Sequence, residues 1–380
     1  MNYTENLYLP NLNAIRAIAA FMVIVSHIER KMYYFNVENC KVLIKLGPIG
    51  VTLFFALSGF LITYLLLIEK DRFVKINIKD FYIRRFLRIW PIYYLVLFFV
   101  YLIIPYILPE YYIQEKERFS FQSCLLNIFF LTNITMVLKY TPLIIGVIWS
   151  IGIEEQFYLF WPWIVKSKKY INKIVFIILL LPILKLILLF FSLQIKEFKI
   201  IYDVLNLTRF DSMAVGGLFG VLAYKKYINF KYFTVHISCF KSKKIQFLTY
   251  FISIGVLLFL LRYDFLLNFY NFQLLPFLFS IILLNLIDYE SSVLKLENRV
   301  LNYLGKISYS LYLLHLLFFY LAYPHLKKIL ENFNLTSDFK ILIIYVVSIS
   351  GSILISFLSF EFIEKRFLYY KKFFTHVKSG

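Results

Sequence analysis

The chain is poor in the residues that mark secreted, metal-stapled or repetitive proteins. Its 380 residues contain three cysteines, Cys40, Cys124 and Cys239. Their scatter matches no zinc or dithiol spacing and implies no disulfide framework, although Cys40 and Cys124 can share one side of a membrane. No metal site is expected. Acidic residues are scarce, 22 against 41 Lys and Arg, for a formal charge of +19. The N-terminus lacks a cationic leader followed by a small-residue cleavage site, so the first apolar segment reads as retained. There is no internal repeat, which counts against the repeat architecture of many secondary transporters. No low-complexity linker divides the chain, and no polar tail large enough to fold alone follows residue 361. A single membrane domain over 1–380 is therefore expected, with no appended soluble domain.

What the chain has is apolar length. It is 61% hydrophobic, 21% aromatic and 17% charged, with a mean hydropathy of +0.73. Soluble proteins are nearer half apolar, and many of the aromatics lie near segment ends, as an interfacial belt requires. The fold class expected is an all-α integral membrane protein. A spanning helix needs about 20 apolar residues. Ten stretches qualify, over 11–29, 50–68, 89–108, 147–165, 173–193, 209–225, 246–262, 269–287, 303–323 and 338–360. An eleventh, near 122–138, carries Asn127, Thr132, Asn133 and Thr135 and reads as a short re-entrant or interfacial helix. With the N-terminus inside and ten spans, 23 Lys and Arg fall on the inner side and 11 on the outer. That bias predicts N-in, C-in topology. The positive charge then serves anionic lipids, and no nucleic-acid partner is expected.

Several ionisable residues nevertheless sit inside apolar segments, where they usually mark function. Arg16 and His27 lie 11 residues apart in the first. On a helix that is about 20° of rotation and roughly 16.5 Å of rise, so they share one face. Arg16 suits phosphate or carboxylate, or snorkels to the inner interface. A neutral His27 can take a proton from a hydroxyl. In Trp149-Ser-Ile-Gly-Ile-Glu154-Glu155-Gln-Phe-Tyr158, the two acids point about 100° apart. One can orient His27; the other caps an interface or pairs with Arg209. A structural ion pair is the plainer alternative. Arg84, Arg85 and Arg88 cluster at the start of the third segment. They suit the phosphates of a nucleotide-like ligand or anchor the segment to anionic lipid. Ser58-Gly59, and Gly216-Gly217 after Arg209 and Asp211, read mainly as sites of close helix packing. Asp211 can also contact a polar acceptor. His315, in mid-segment, lines the same cavity or bonds a neighbouring helix.

Taken in order, these pieces resemble the membrane-bound acyltransferase family 3, whose members O-acylate cell-surface glycans and related acceptors. The elements are Arg16 with His27; Phe54-Phe55 with Ser58-Gly59-Phe60-Leu61; Arg84-Arg85 with Arg88-Ile-Trp-Pro91; Trp149-Ser150 with Glu154 and Phe157-Tyr158; Arg209-Phe-Asp211 with Gly216-Gly217; Ser308-Tyr-Ser-Leu-Tyr-Leu-Leu-His315; and Glu361-Phe-Ile-Glu364-Lys365-Arg366. The family often has Pro where this chain has Arg366. The resemblance implies acetyl-CoA or another acyl-CoA as cytoplasmic donor, and a glycan or lipid-linked saccharide as acceptor on the far side. It implies His27 as the catalytic residue and the cytoplasmic arginines, with Arg16, as contacts of the coenzyme. Glu154 would hold the imidazole in its working tautomer. Glu155, Arg209, Asp211, Ser58 and His315 are the candidates for contact with the acceptor. Many relatives carry a fused hydrolase-like domain; a chain without one would act alone or with a separate partner. A transporter of a lipid-linked sugar is the rival reading. The Lys-, Ile-, Phe- and Asn-rich composition suits an AT-rich bacterial genome, and hence a multi-pass protein of the inner membrane.

Overall fold

The computed structural model describes residues 9–229, 234–262, 271–288, 290–333 and 335–375. These are overwhelmingly helical. The principal helices are α1 (Leu12–Lys31), α2 (Leu46–Phe73), α3 (Ile78–Phe98), α4 (Ile148–Lys166), α5 (Tyr170–Ser192) and α6 (Phe210–Lys225). They continue with α7 (Lys243–Arg262), α8 (Asn271–Leu286), α9 (Arg299–Lys306), α10 (Ser308–Glu331), α11 (Ser337–Ser359) and α12 (Lys365–Lys371). One small exception to the all-α expectation is an antiparallel hairpin that pairs Tyr227–Asn229 with Thr234–His236.

Among the described residues, six stretches are helical, long and apolar enough to cross a membrane: Leu12–Phe35, Lys41–Phe73, Ile78–Ile107, Tyr170–Ser192, Lys243–Arg262 and Ser337–Phe374. A seventh arises if α9 and α10, bent by 70° to one another, count as one broken span. The expected ten is not reached. The stretch at 147–165 is a helix, but Glu154 and Glu155 make it too polar. Those at 209–225 and 269–287 form helices of 16 residues; residues 269 and 270 lie outside the described residues. A helix enclosed by protein needs neither full length nor a uniformly apolar surface. Along α6 ten residues are buried, Asp211 and Ser212 among them. The stretch near 122–138 folds as two short helices, Phe121–Ile128 and Thr132–Val137, neither long enough to span.

The bundle is organised around α2. The most apolar part of Lys41–Phe73 is 78% buried, against 17% for Tyr170–Ser192, so the latter is a peripheral helix. α2 crosses α6 at glycines, most tightly at Gly59 and Gly216. A Cβ on Gly59 would lie 1.9 Å from the Met213 carbonyl oxygen, and one on Gly216 would lie 2.0 Å from that of Ala56. Only glycine permits this approach, as the packing expectation required. At the end of α2, Glu69 Oε1 accepts from the backbone N–H of Asn77 at 2.9 Å. Asn77 in turn caps α3, accepting from the N–H of Asp80 at 3.2 Å, as an N-cap residue should. The helix therefore begins at Ile78, well before the apolar stretch at 89, and carries Arg84, Arg85 and Arg88 on ordered backbone. Cys40 and Cys124 are free thiols; the Cys239 side chain lies outside the described residues.

Candidate functional site

One cavity gathers most of the singled-out residues. Its walls come from α1, α2, α3, α4, α10 and the C-terminal turn. Along α2 it runs from Val51 to Glu69, 18 residues and so about 27 Å of rise, close to the roughly 30 Å of a bilayer's apolar core. Five cations line it, Arg16, Arg84, Arg85, Arg88 and Lys371, against two carboxylates, Glu69 and Glu154. The expected arginine cluster is thus assembled with Arg16. Lys371 was not anticipated: in sequence it is one of several basic residues of the terminal segment.

The arginines are not equivalent. Arg84 is committed to the fold, with Nη2 2.7 Å from Glu69 Oε2 and Nη1 donating to the Phe374 carbonyl at 2.7 Å. Arg85 and Arg88 form no ion pair among the described residues. The Arg85 guanidinium lies over the rings of Phe81 and Tyr158, at 5.5 and 5.4 Å, and its buried Nε has no partner. A buried guanidinium nitrogen without an acceptor fits a site for an anionic group. Arg16 donates to Asn13 Oδ1 at 2.7 Å.

Farther along α4, Glu154 faces the cavity. It accepts from Ser58 Oγ at 2.8 Å and from Tyr158 Oη at 3.1 Å. Ser58 therefore does more than allow packing. Glu155 turns away and accepts from Trp90 Nε1 at 2.8 Å. The divergence expected for adjacent helical residues is present, but Glu155 has no ion pair among the described residues, with Arg209 or any other cation. Arg209 donates instead to Thr52 Oγ1 at 2.8 Å. Asp211 pairs with Lys185 of α5 at 2.8 Å, both nearly inaccessible to solvent. This ion pair, unseen in sequence, ties α5 to α6 outside the cavity lining.

At the end opposite the cations stand Val51, Phe54, Ser150 and Tyr312. The rings of Phe54 and Tyr312 meet edge to face at 5.6 Å, and the Ser150 and Tyr312 hydroxyls are 2.6 Å apart. His27 does not line the cavity. It lies beyond this layer, half-buried, with Nδ1 3.0 Å from Nε2 of His315. His315 is fully buried, and its ring centroid is 6.2 Å from that of Tyr312. The partner of His27 is thus His315, where Glu154 was expected. Glu154 is taken up by Ser58 and Tyr158. Lone residues 288 positions apart carry no spacing that would reveal their contact. Among the described residues no group of three or more His, Cys, Asp or Glu could hold a metal ion.

A family model described as an acyltransferase domain matches residues 9–361. A protein of Staphylococcus aureus (strain COL), provisionally named an O-acetyltransferase, is 28% identical over 390 aligned residues, covering 96% of this chain and 58% of its own. The peptidoglycan O-acetyltransferase OatA of Listeria monocytogenes is 32% identical over 184 residues, 44% of this chain and 27% of its own. YrhL of Bacillus subtilis, provisionally named a peptidoglycan O-acetyltransferase, is 32% identical over 174 residues, 44% and 25%. The chain thus spans little more than half the length of the Staphylococcus relative. No solved structure matches.

Proposed function

The chain belongs to the acyltransferase 3 family, and we propose that it moves an acyl group, acetyl in the simplest case, from acyl-CoA to a hydroxyl of a cell-surface glycan or its lipid-linked precursor. The observation that carries this reading is the cavity: a cationic mouth joined to a passage about as long as the apolar core is thick. Arg85, Arg88, Arg16 and Lys371 would take the coenzyme's phosphates, and Arg84 would hold the C-terminal turn beside them. The thioester end would lie toward Phe54 and Tyr312. His27 would take the proton of the acceptor hydroxyl, and the oxygen would attack the thioester carbonyl. The C–S bond would break, and the departing thiolate would regain the proton from the imidazolium. The coenzyme would enter from the cytoplasm and the acceptor from the other side of a bacterial inner membrane. The relatives' names favour a peptidoglycan-like acceptor.

The test is direct. Purified protein in lipid is incubated with radiolabelled acetyl-CoA and isolated cell-wall glycan. Label in alkali-labile ester on the glycan is the expected result. Translocation of a lipid-linked sugar with no ester formed would favour the transporter reading instead.

A further inference from the structure

The two imidazoles fix each other's protons, and we infer that His315 is the positioning residue that leaves Nε2 of His27 as the basic nitrogen. The tautomers follow from a group that cannot donate. The Leu311 carbonyl oxygen lies 3.1 Å from Nδ1 of His315. A carbonyl only accepts, so that nitrogen carries its hydrogen. A neutral imidazole with a hydrogen on Nδ1 has its lone pair on Nε2. That Nε2 faces Nδ1 of His27 at 3.0 Å. One hydrogen must lie between them, and His27 has to supply it. Neutral His27 is then protonated on Nδ1 and unprotonated on Nε2.

The same bond supports the reacting state. When Nε2 of His27 takes a proton, the ring becomes a cation and its Nδ1–H still points at a lone pair. A charge-assisted hydrogen bond is about twice as strong as a neutral one. His315 thus does for His27 what a carboxylate does in many catalytic triads, without adding negative charge. The rings are 5.0 Å apart and inclined at 35°. His315 is itself held by Phe319, whose ring meets it edge to face at 5.6 Å. The other charged groups acting on His27 come from its own helix, Arg30 and Lys31. The carbonyl of Val23, four residues earlier on α1, also reaches the His27 ring. A bond from the Nδ1 hydrogen to that carbonyl would make His315 dispensable.

The role assigned to His315 rests on His27 being the base, so two readouts are needed. The first is independent of activity. Nitrogen NMR of histidine-labelled protein in nanodiscs reads the tautomer of each ring at neutral pH. Both rings are expected to show a protonated Nδ1 and an unprotonated Nε2. In His315→Leu, the His27 signal should move to a mixture of tautomers. A His27 protonated on Nε2 in the parent protein would overturn the inference, as would an unchanged His27 signal in His315→Leu, which would give the task to Val23. The second readout is kinetic. A glutamine side chain reaches about as far as Nε2 of histidine and offers a carbonyl acceptor. His315→Gln should keep kcat within about tenfold of the parent, and His315→Leu should lose about 10² or more. KM for acyl-CoA should be unchanged in both. Equal losses in the two variants would refute the acceptor role. If His27→Ala keeps activity, the base role assigned to His27 fails while the tautomer result stands.

Discussion

Arg84 and Arg85 are adjacent in sequence and opposite in use. Arg84 is buried against Glu69; Arg85 keeps an unpartnered nitrogen at the cavity. Removing one member of a buried ion pair costs about 3–5 kcal/mol. Arg84→Met should therefore lower the thermal unfolding midpoint of the protein in detergent. A midpoint equal to the parent's would show that Glu69 does not depend on it. Arg85→Met should leave the midpoint alone and weaken acyl-CoA binding. A hydrogen bond to a charged group contributes about 1.5–3 kcal/mol, or roughly 10- to 100-fold in Kd by calorimetry. An unchanged Kd would remove Arg85 from the site. Arg16 was conspicuous because charge inside an apolar run is expensive, and Arg84, Arg85 and Arg88 because three cations cluster at the edge of one; all four line the cavity. Lys371 was not, because a basic residue beyond the last span is what any inner-side segment carries. Nor was the pairing of Ser58 with Glu154, which depends on how α2 and α4 rotate against each other.

At the scale of elements, the bundle depends on the crossing of α2 and α6. Gly59→Val and Gly216→Val each place atoms where a backbone carbonyl already sits. Neither helix can retreat without opening the wall that holds Ser58. Both variants should fail to give a monodisperse species on size exclusion. Gly255→Ala is the contrast, since nothing lies within 4 Å of the added carbon. It should be tolerated or mildly stabilising, as alanine is the better helix former by about 1 kcal/mol. A well-behaved Gly216→Val protein would mean the two helices are not held as described. The glycines were read correctly as packing sites from their small-residue pattern. The helix boundaries were less legible. Hydropathy marks where a chain can sit in lipid, and α3 starts at a polar cap beyond that region. The 70° bend between α9 and α10 is likewise not recorded in hydropathy.

The apolar length of the chain announced a helical membrane protein, and the structure has that form. The number of spans was less legible: α6, with ten of its residues buried, is short and carries Asp211 and Ser212 where protein encloses it. Topology rests on the excess of Lys and Arg in the segments assigned to the inner side, and we propose that both termini face the cytoplasm. The exposed thiol of Cys40 offers a check. A membrane-impermeant maleimide should label it in right-side-out vesicles, and Cys40→Ser should lose that label. Labelling only in inside-out vesicles would reverse the orientation and put the cationic mouth outside.

The most direct measurement uses oriented proteoliposomes, with labelled acetyl-CoA enclosed on the side of Arg85 and glycan supplied only on the other. Ester-linked label should appear on the external glycan with the parent protein and fall to background with His27→Ala, while both proteins bind acyl-CoA equally. Transfer that persists in His27→Ala, with its acyl-CoA binding intact, would contradict the role of His27 as the base.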